Sequence, residues 1–356
     1  MLDFYSNYLL SSFDRTTATS GACLTNNTIS HDRITRFLND ETSSRHLWRH
    51  VKPIVHEIQS ADGVLSVDDT IIPKPHMDEN EIVCWHYDHQ SGKTIKGINL
   101  LSVLYESNDV RIPVANAIIE KTEVYTDLST GFEKRRSSIS KNKHFRKLLW
   151  ICKRNKLPFR YVLCDVWYAS AENMNFIRKA LKAHFVMPLK SNRKVALSRA
   201  HKRAKQYVTV ETLALKNSSL RTIYLEEVEF PLLLVKQVFT NEDGSEGVLY
   251  LVTSDTTLTY EKITPLYTKR SAIEGFHKAL KQQCGITRSP ARMMRTQSTH
   301  IFCSVCAFVK LELLRRITSV SYEGLKLNLY IHALKTSFKY LQSLQPFNWA
   351  TKPLFA

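Results

Sequence analysis

Five short apolar runs limit most strongly what this chain can fold into: VLSVDDTII, GINLLSVLY, VRIPVANAII, RYVLCD and HFVMPL. The second and third are joined by the turn-like ESND, which predicts a β-hairpin or meander. The fourth leads into a helix at about 170 to 182, and the fifth follows that helix. Three antiparallel-type strands followed by strand, helix and strand predict an α/β domain around a mixed sheet. Acids lie at the ends of two runs: Asp68 and Asp69 after VLSV, and Asp165 after YVLC. A carboxylate at the end of a buried strand costs desolvation energy unless a cation or hydrogen-bond donor meets it. Such an acid also commonly caps the next turn, so none of the three identifies a site by itself.

Residues 1 to 60 read as helical, in two units separated by TTATSGACLTNNT. In ISHDRITRFLNDE, Ser30 is placed to cap a helix with Ile34, Phe37 and Leu38 as its buried stripe. His31, Asp32, Arg33, Thr35 and Arg36 are then exposed, which suits either a helix-turn-helix contact with DNA or an ordinary small bundle. Between 193 and 256, LRTIYLEEVEF, LLLVKQVF and GVLYLVTSD predict strands inserted into the α/β domain and not joined to its sheet. From about 257 the chain is helical again. Lys and Arg number 50 against 33 Asp and Glu, a formal net charge of +17. That excess favours an anionic partner, most often nucleic acid. Seven scattered cysteines point to free thiols in a reducing compartment, and the CxxC of Cys303 and Cys306 lacks a matching second pair. Lys310 and Glu312 interrupt the apolar run IFCSVCAFVKLELL, so the expected protein is cytoplasmic and not membrane-bound.

The segment LYTKRSAIEGFHKALKQ sets one acid, Glu274, among basic side chains. On one continuous helix, Tyr267, Arg270, Glu274 and Lys281 share an arc of about 60°, opposite Leu266, Ile273, Phe276 and Leu280. The same spacing on a free helix is ordinarily a solvated salt-bridge face. Two-metal phosphoryl transfer needs hard oxygen ligands from separate elements and no side-chain nucleophile. The sequence has neither a P-loop nor a GxGxxG.

Together these residues resemble the DDE transposases of bacterial insertion sequences. The subgroup in question has a Tyr, Arg, Glu, Lys signature, matched in spacing by Tyr267, Arg270, Glu274 and Lys281. VDDT at 67 to 70 and CDVWYAS at 164 to 170 look like the segments bearing the first two acids. The resemblance implies an RNase H-like mixed sheet with flanking helices, interrupted by a β-rich insertion and preceded by an N-terminal helical domain. The divisions expected are a DNA-binding region at 1–60, a catalytic core at 61–192 and 257–320, the insertion at 193–256 and a helical C-terminal region at 321–356. Asp68, Asp165 and Glu274 become ligands of two Mg²⁺ ions, for which Mn²⁺ substitutes, while Tyr267, Arg270 and Lys281 contact DNA phosphates. Asp69 is the alternative first acid. Adjacent strand residues face opposite sides, and the family pattern favours Asp68. The implied activity is metal-dependent cleavage and strand transfer on double-stranded DNA ends by a homodimer, in a bacterial nucleoid setting. A cutting-only nuclease and a non-catalytic DNA-binding derivative carry the same charge pattern. Some relatives stack a flipped base on a tryptophan of the insertion, but none of the five tryptophans here lies within 190–260. Tyr207, Tyr224, Phe230 and Phe239 are the aromatic substitutes available there.

Overall fold

The computed structural model describes residues 1–40, 42–88, 92–241 and 243–344. Four helices come first: α1 (Leu2–Ser11), α2 (Ala18–Cys23), α3 (His31–Leu38) and α4 (Ser44–Ile58). Ser30 caps α3 by accepting from the Arg33 amide at 3.3 Å, and Ile34 and Leu38 are buried beneath it. Strands β1 (Val64–Pro73), β2 (Val83–Asp88), β3 (Lys93–Ser107) and β4 (Val110–Ile118) follow, then a small hairpin of β5 (Glu123–Thr126) and β6 (Glu133–Arg136). Helix α5 (Lys141–Arg154) leads to β7 (Tyr161–Cys164), and α6 (Ala171–Asn175) continues as a wide turn over Phe176–Leu181 into β8 (His184–Leu189). Beyond lie β9 (Lys194–Val195), α7 (Arg199–Arg203), β10 (Val208–Thr209), β11 (Leu220–Ile223), β12 (Leu232–Thr240) and β13 (Glu246–Thr253). Helices α8 (Tyr260–Thr268), α9 (Ser271–Gln282), α10 (Met294–Thr318) and α11 (Tyr322–Ser343) complete the described chain. The last part of the C-terminal region, 345–356, lies outside the described residues.

Antiparallel pairing joins β4 to β3 and β3 to β1, and parallel pairing joins β1 to β7 and β7 to β8. This is the RNase H-like order: a meander, then two crossovers. The β3–β4 turn has Asn108 at φ 52° and Asp109 at φ 59°, the two left-handed positions that a tight hairpin demands. One expectation is overturned. Strands β11, β12 and β13 do not stand apart as an insertion; β13 pairs antiparallel with β8, so the extension continues the same sheet. Alternating apolar residues on a strand report burial but carry no information about which strand lies alongside.

Side-chain parity divides the core in two. Leu65 and Val67 of β1 face a large cluster that includes α4, α5, α9 and α10, whereas Val64 joins Tyr161, Leu163, Val186, Leu251 and Ile263 beneath α8. The N-terminal helices share the large cluster. Tyr5 of α1 is fully buried, with its hydroxyl 3.0 Å from His300 Nδ1 on α10, and Leu47, Val51 and Val55 of α4 bury one face at helical spacing. No helix of the described residues is long and apolar enough to cross a membrane.

Candidate active site

The site begins where β7 stops. Val67 of β1 is in register with Cys164, the last residue of β7, so Asp68 and Asp165 emerge side by side on adjacent parallel strands. From Asp68 to Pro73, β1 continues with β3 as its partner, and α9 packs on β1. Asp165 also caps the short turn Val166–Tyr168, accepting from the Val166 amide at 2.7 Å. The capping role and a place in the site are thus compatible.

Alternation sends Asp68 and Asp69 to opposite faces. Asp69, on the Leu65 and Val67 side, accepts from Asn99 Nδ2 at 2.6 Å, Lys141 Nζ at 2.7 Å and the Tyr168 hydroxyl at 2.6 Å. Burial pushes its carboxyl up, but Lys141 and these hydrogen bonds outweigh that and hold it below the usual carboxylate range. Asp68 has a different environment. Burial drives its pKa up to about 7; Arg270 opposes this, and the neighbouring charges of Asp69 and Asp165 add to it.

The partner of Asp68 comes from the segment carrying Glu274. The single continuous helix expected over 266–282 is not formed: α8 ends at Thr268 and α9 begins at Ser271. Across the break the amides of Lys269, Arg270, Ala272 and Ile273 bond three residues back, a tightened turn. No glycine or proline marks it. Its effect is to pass the chain from one core to the other, since Ile263 of α8 belongs to the smaller cluster and Ile273, Phe276 and Leu280 of α9 to the larger. Lys269 anchors the turn through an ion pair with the buried Glu106 of β3 at 3.2 Å. Arg270, at the turn, spans two acids: Nη1 lies 3.2 Å from Asp68 Oδ2 and Nη2 lies 2.6 Å from Glu274 Oε1.

Arg270 therefore gathers Asp68 and Glu274, with Asp165 beside Asp68. Tyr267, in the last turn of α8, has its ring centroid 5.9 Å from the Arg270 guanidinium carbon, and burial raises its phenol pKa. Lys281 stands two turns beyond Glu274; burial lowers its pKa, and Asp88 is the acid whose charge acts on it. Sequence reasoning missed Lys141 and Asn99, which reach Asp69 from 72 and 30 residues away and leave no local signal. Tyr168, in the CDVWYAS segment, is buried and donates to Asp69.

The donor set fits a hard divalent cation: three carboxylates, one of them desolvated and crowded by like charge. Among the described residues no three His, Cys, Asp or Glu side chains are already gathered as a metal-ligating group. The Arg270 guanidinium holds the place between Asp68 and Glu274. Six of the seven cysteines are buried thiols, and the Cys303–Cys306 pair lies inside α10.

A cleft of about 590 Å³ opens directly beyond Asp165, lined by Val166, Trp167, Ser170, Lys190, Arg193 and Lys194 among others. Trp167 is exposed at its mouth. Of the aromatic candidates in the extension, Phe239 is exposed and Phe230 packs on Phe185 in the core. Residues 134–154 are rich in Lys and Arg, and two of these cations are held by acids of the chain, Lys141 by Asp69 and Arg146 by Glu172.

Comparison with curated proteins gives no match. Residues 59–309, which contain every strand of the described residues and helices α5 to α9, match the sequence profile of the family described as Transposase DDE domain. A match over that much of the chain, on an RNase H-like sheet with Asp68 inside β1 and Asp165 just beyond the end of β7, makes this protein a member of the DDE transposase family.

Proposed function

We propose that this chain is an insertion-sequence transposase of the Tyr-Arg-Glu-Lys subgroup, which binds the terminal inverted repeats of its element, cleaves a strand at each end and joins the freed 3′-hydroxyl to target DNA. The observation that carries this reading is the bridge that Arg270 makes between Asp68 and Glu274, with Asp165 next to Asp68 where β7 ends. Family members generally use divalent metal ions. Asp68, Asp165 and Glu274 would hold two Mg²⁺ here, which supply Lewis acidity at the phosphate and at the attacking oxygen.

The chain's own groups do the positioning. Arg270 offers a planar fork suited to a phosphate, and its present carboxylate partners mark the spot at which anionic groups are welcome. Tyr267 supports that fork from below and presents its hydroxyl to the DNA backbone, and Lys281 adds charge further along α9. Water is the first nucleophile and the DNA 3′-hydroxyl the second, so no protein side chain needs to form a covalent bond. The cleft with Trp167, Lys190, Arg193 and Lys194 leads a strand away from the site by stacking and phosphate contact. Exposed His31, Arg33, Thr35 and Arg36 on α3 are the proposed contacts with the repeat.

The test replaces Glu274 with Gln and measures cleavage of end DNA with Mg²⁺. Activity near the unaltered level would overturn the assignment of Glu274. Supplying an end already cut separates joining from cutting: a protein that cleaves but never joins such an end is a nuclease.

A further inference from the structure

Lys74 stands just beyond the last residue of β1, and its amide still bonds to the Lys96 carbonyl of β3 at 2.9 Å. Its side chain is buried, and among the described residues no acid pairs with it. The ammonium donates instead to two carbonyls of the loop between α9 and α10, Ser289 at 3.1 Å and Thr287 at 3.4 Å. Burial lowers its pKa to about 8. A methionine of similar length would fill the same space without that desolvation penalty, so packing alone does not account for a cation here.

The loop it grips is a firmly bonded exit from α9. The amides of Cys284 and Ile286 return to the carbonyls of Ala279 and Leu280, and Gly285 takes the left-handed conformation, φ 66°, that this reversal needs. His300 of α10 meets the Gly285 carbonyl through Nε2 at 3.0 Å. Lys74 therefore ties the end of β1 to the end of α9, and these two elements carry Asp68 and Glu274. From Asp68 to Lys74 the strand advances about 20 Å. At one end of the packing between β1 and α9, Arg270 joins the two acids; at the other, Lys74 joins the two elements.

The two links respond differently to DNA. The proposed reaction turns the Arg270 fork toward a phosphate, which loosens its hold on the acids, whereas the buried Lys74 meets no DNA and keeps its bonds. We propose that Lys74 is a positioning residue: it fixes α9 along β1 and so keeps Glu274 level with Asp68 while Arg270 engages DNA. This role rests on the proposed place of Asp68 and Glu274 in the reaction. Lys326 shows the same chemistry in a different position. It donates to the carbonyls of Leu10 and Ser12, burial lowers its pKa to about 8, and it joins α11 to the end of α1, neither of which carries an acid of the site.

The experiment compares Lys74→Met, Lys326→Met and the unaltered full chain on an end DNA that is already cut. Three quantities are measured per folded molecule: affinity for that end, Mn²⁺ affinity of the complex by electron paramagnetic resonance, and the joining rate at saturating DNA. Lys74→Met should lose about 10- to 100-fold in Mn²⁺ affinity and in joining rate, because displaced carboxylates hold the ions less well, while its affinity for the end is unchanged. Lys326→Met should leave all three at the unaltered level, whatever it does to the urea midpoint. Should Lys74→Met not fold, Lys74→Gln, which keeps N–H donors, serves the same comparison with a smaller loss of the same two quantities. A Lys74 variant that binds Mn²⁺ and joins as the unaltered chain does, or losses shared equally by Lys326→Met, would overturn the positioning role while leaving the proposed reaction intact. An unaltered chain that neither binds Mn²⁺ nor joins the end would overturn that reaction, and the positioning role with it.

Discussion

The two faces of β1 present the same residue in successive positions and treat it in opposite ways. Asp69 is met by an amide, an ammonium and a phenol, all within 2.7 Å, and folding leaves that carboxylate fully accommodated. Asp68, one residue earlier, is crowded by two other acids, and the one cation paired with it among the described residues, Arg270, is shared with Glu274. A fold that stabilises one acid and leaves its neighbour short of positive charge has separated a structural carboxylate from an available one.

Substitutions on the two faces should therefore fail in different ways, and the largest effect falls on the available side. Asp68→Asn is expected to reduce end cleavage by about 10³-fold or more, with little change in the urea midpoint. An equally large loss of stability would erase the distinction. Asp69→Ala should do the reverse: it strands the Lys141 ammonium, the Asn99 amide and the Tyr168 hydroxyl without their acceptor, at a cost of about 3 kcal/mol in unfolding free energy. Cleavage per folded molecule should fall far less than for Asp68→Asn.

Arg270→Lys gives a smaller effect that sharpens the comparison. Lysine keeps the charge but loses the fork that reaches Asp68 and Glu274 together, so cleavage should fall by about 10- to 100-fold while stability stays nearly level. The smallest effect belongs to a site far from the chemistry. Burial pushes the Asp255 carboxyl up, but hydrogen bonds from Thr257 and Tyr161 prevail and lower it from 3.8 to about 2. A depressed folded-state pKa contributes stability that is complete above pH 3.8 and lost as pH falls toward about 2. Asp255→Asn should flatten that part of the acid unfolding curve, measured by fluorescence between those limits.

How much of this was legible in the sequence depended on how local each signal was. The strands containing VLSV, LLSVLY, YVLC and HFVMPL were visible because they are buried runs, and the β3–β4 turn because Asn and Asp tolerate the left-handed conformation it needs. Strand β2 was missed, since its outward Trp85 and Tyr87 and inward His86 reverse the usual relation between polarity and burial. The opposition of Asp68 and Asp69 was legible from strand alternation alone. The bend at 268–271 was not, because a tightened turn without glycine or proline leaves the apolar spacing of α8 and α9 nearly in phase.

The pairing of β13 with β8 has a consequence for what the chain could lose. Phe185, Val186 and Met187 of β8 are completely buried, and β13 satisfies the open side of that strand through Val186 to Leu189. A shortened protein lacking 193–256 would turn β8 into an exposed apolar edge, a row of unpaired amides and carbonyls ready to template the strand of another molecule. Such a deletion is expected to aggregate instead of yielding a smaller soluble core. The extension is thus a seal on the sheet as well as an elaboration of it.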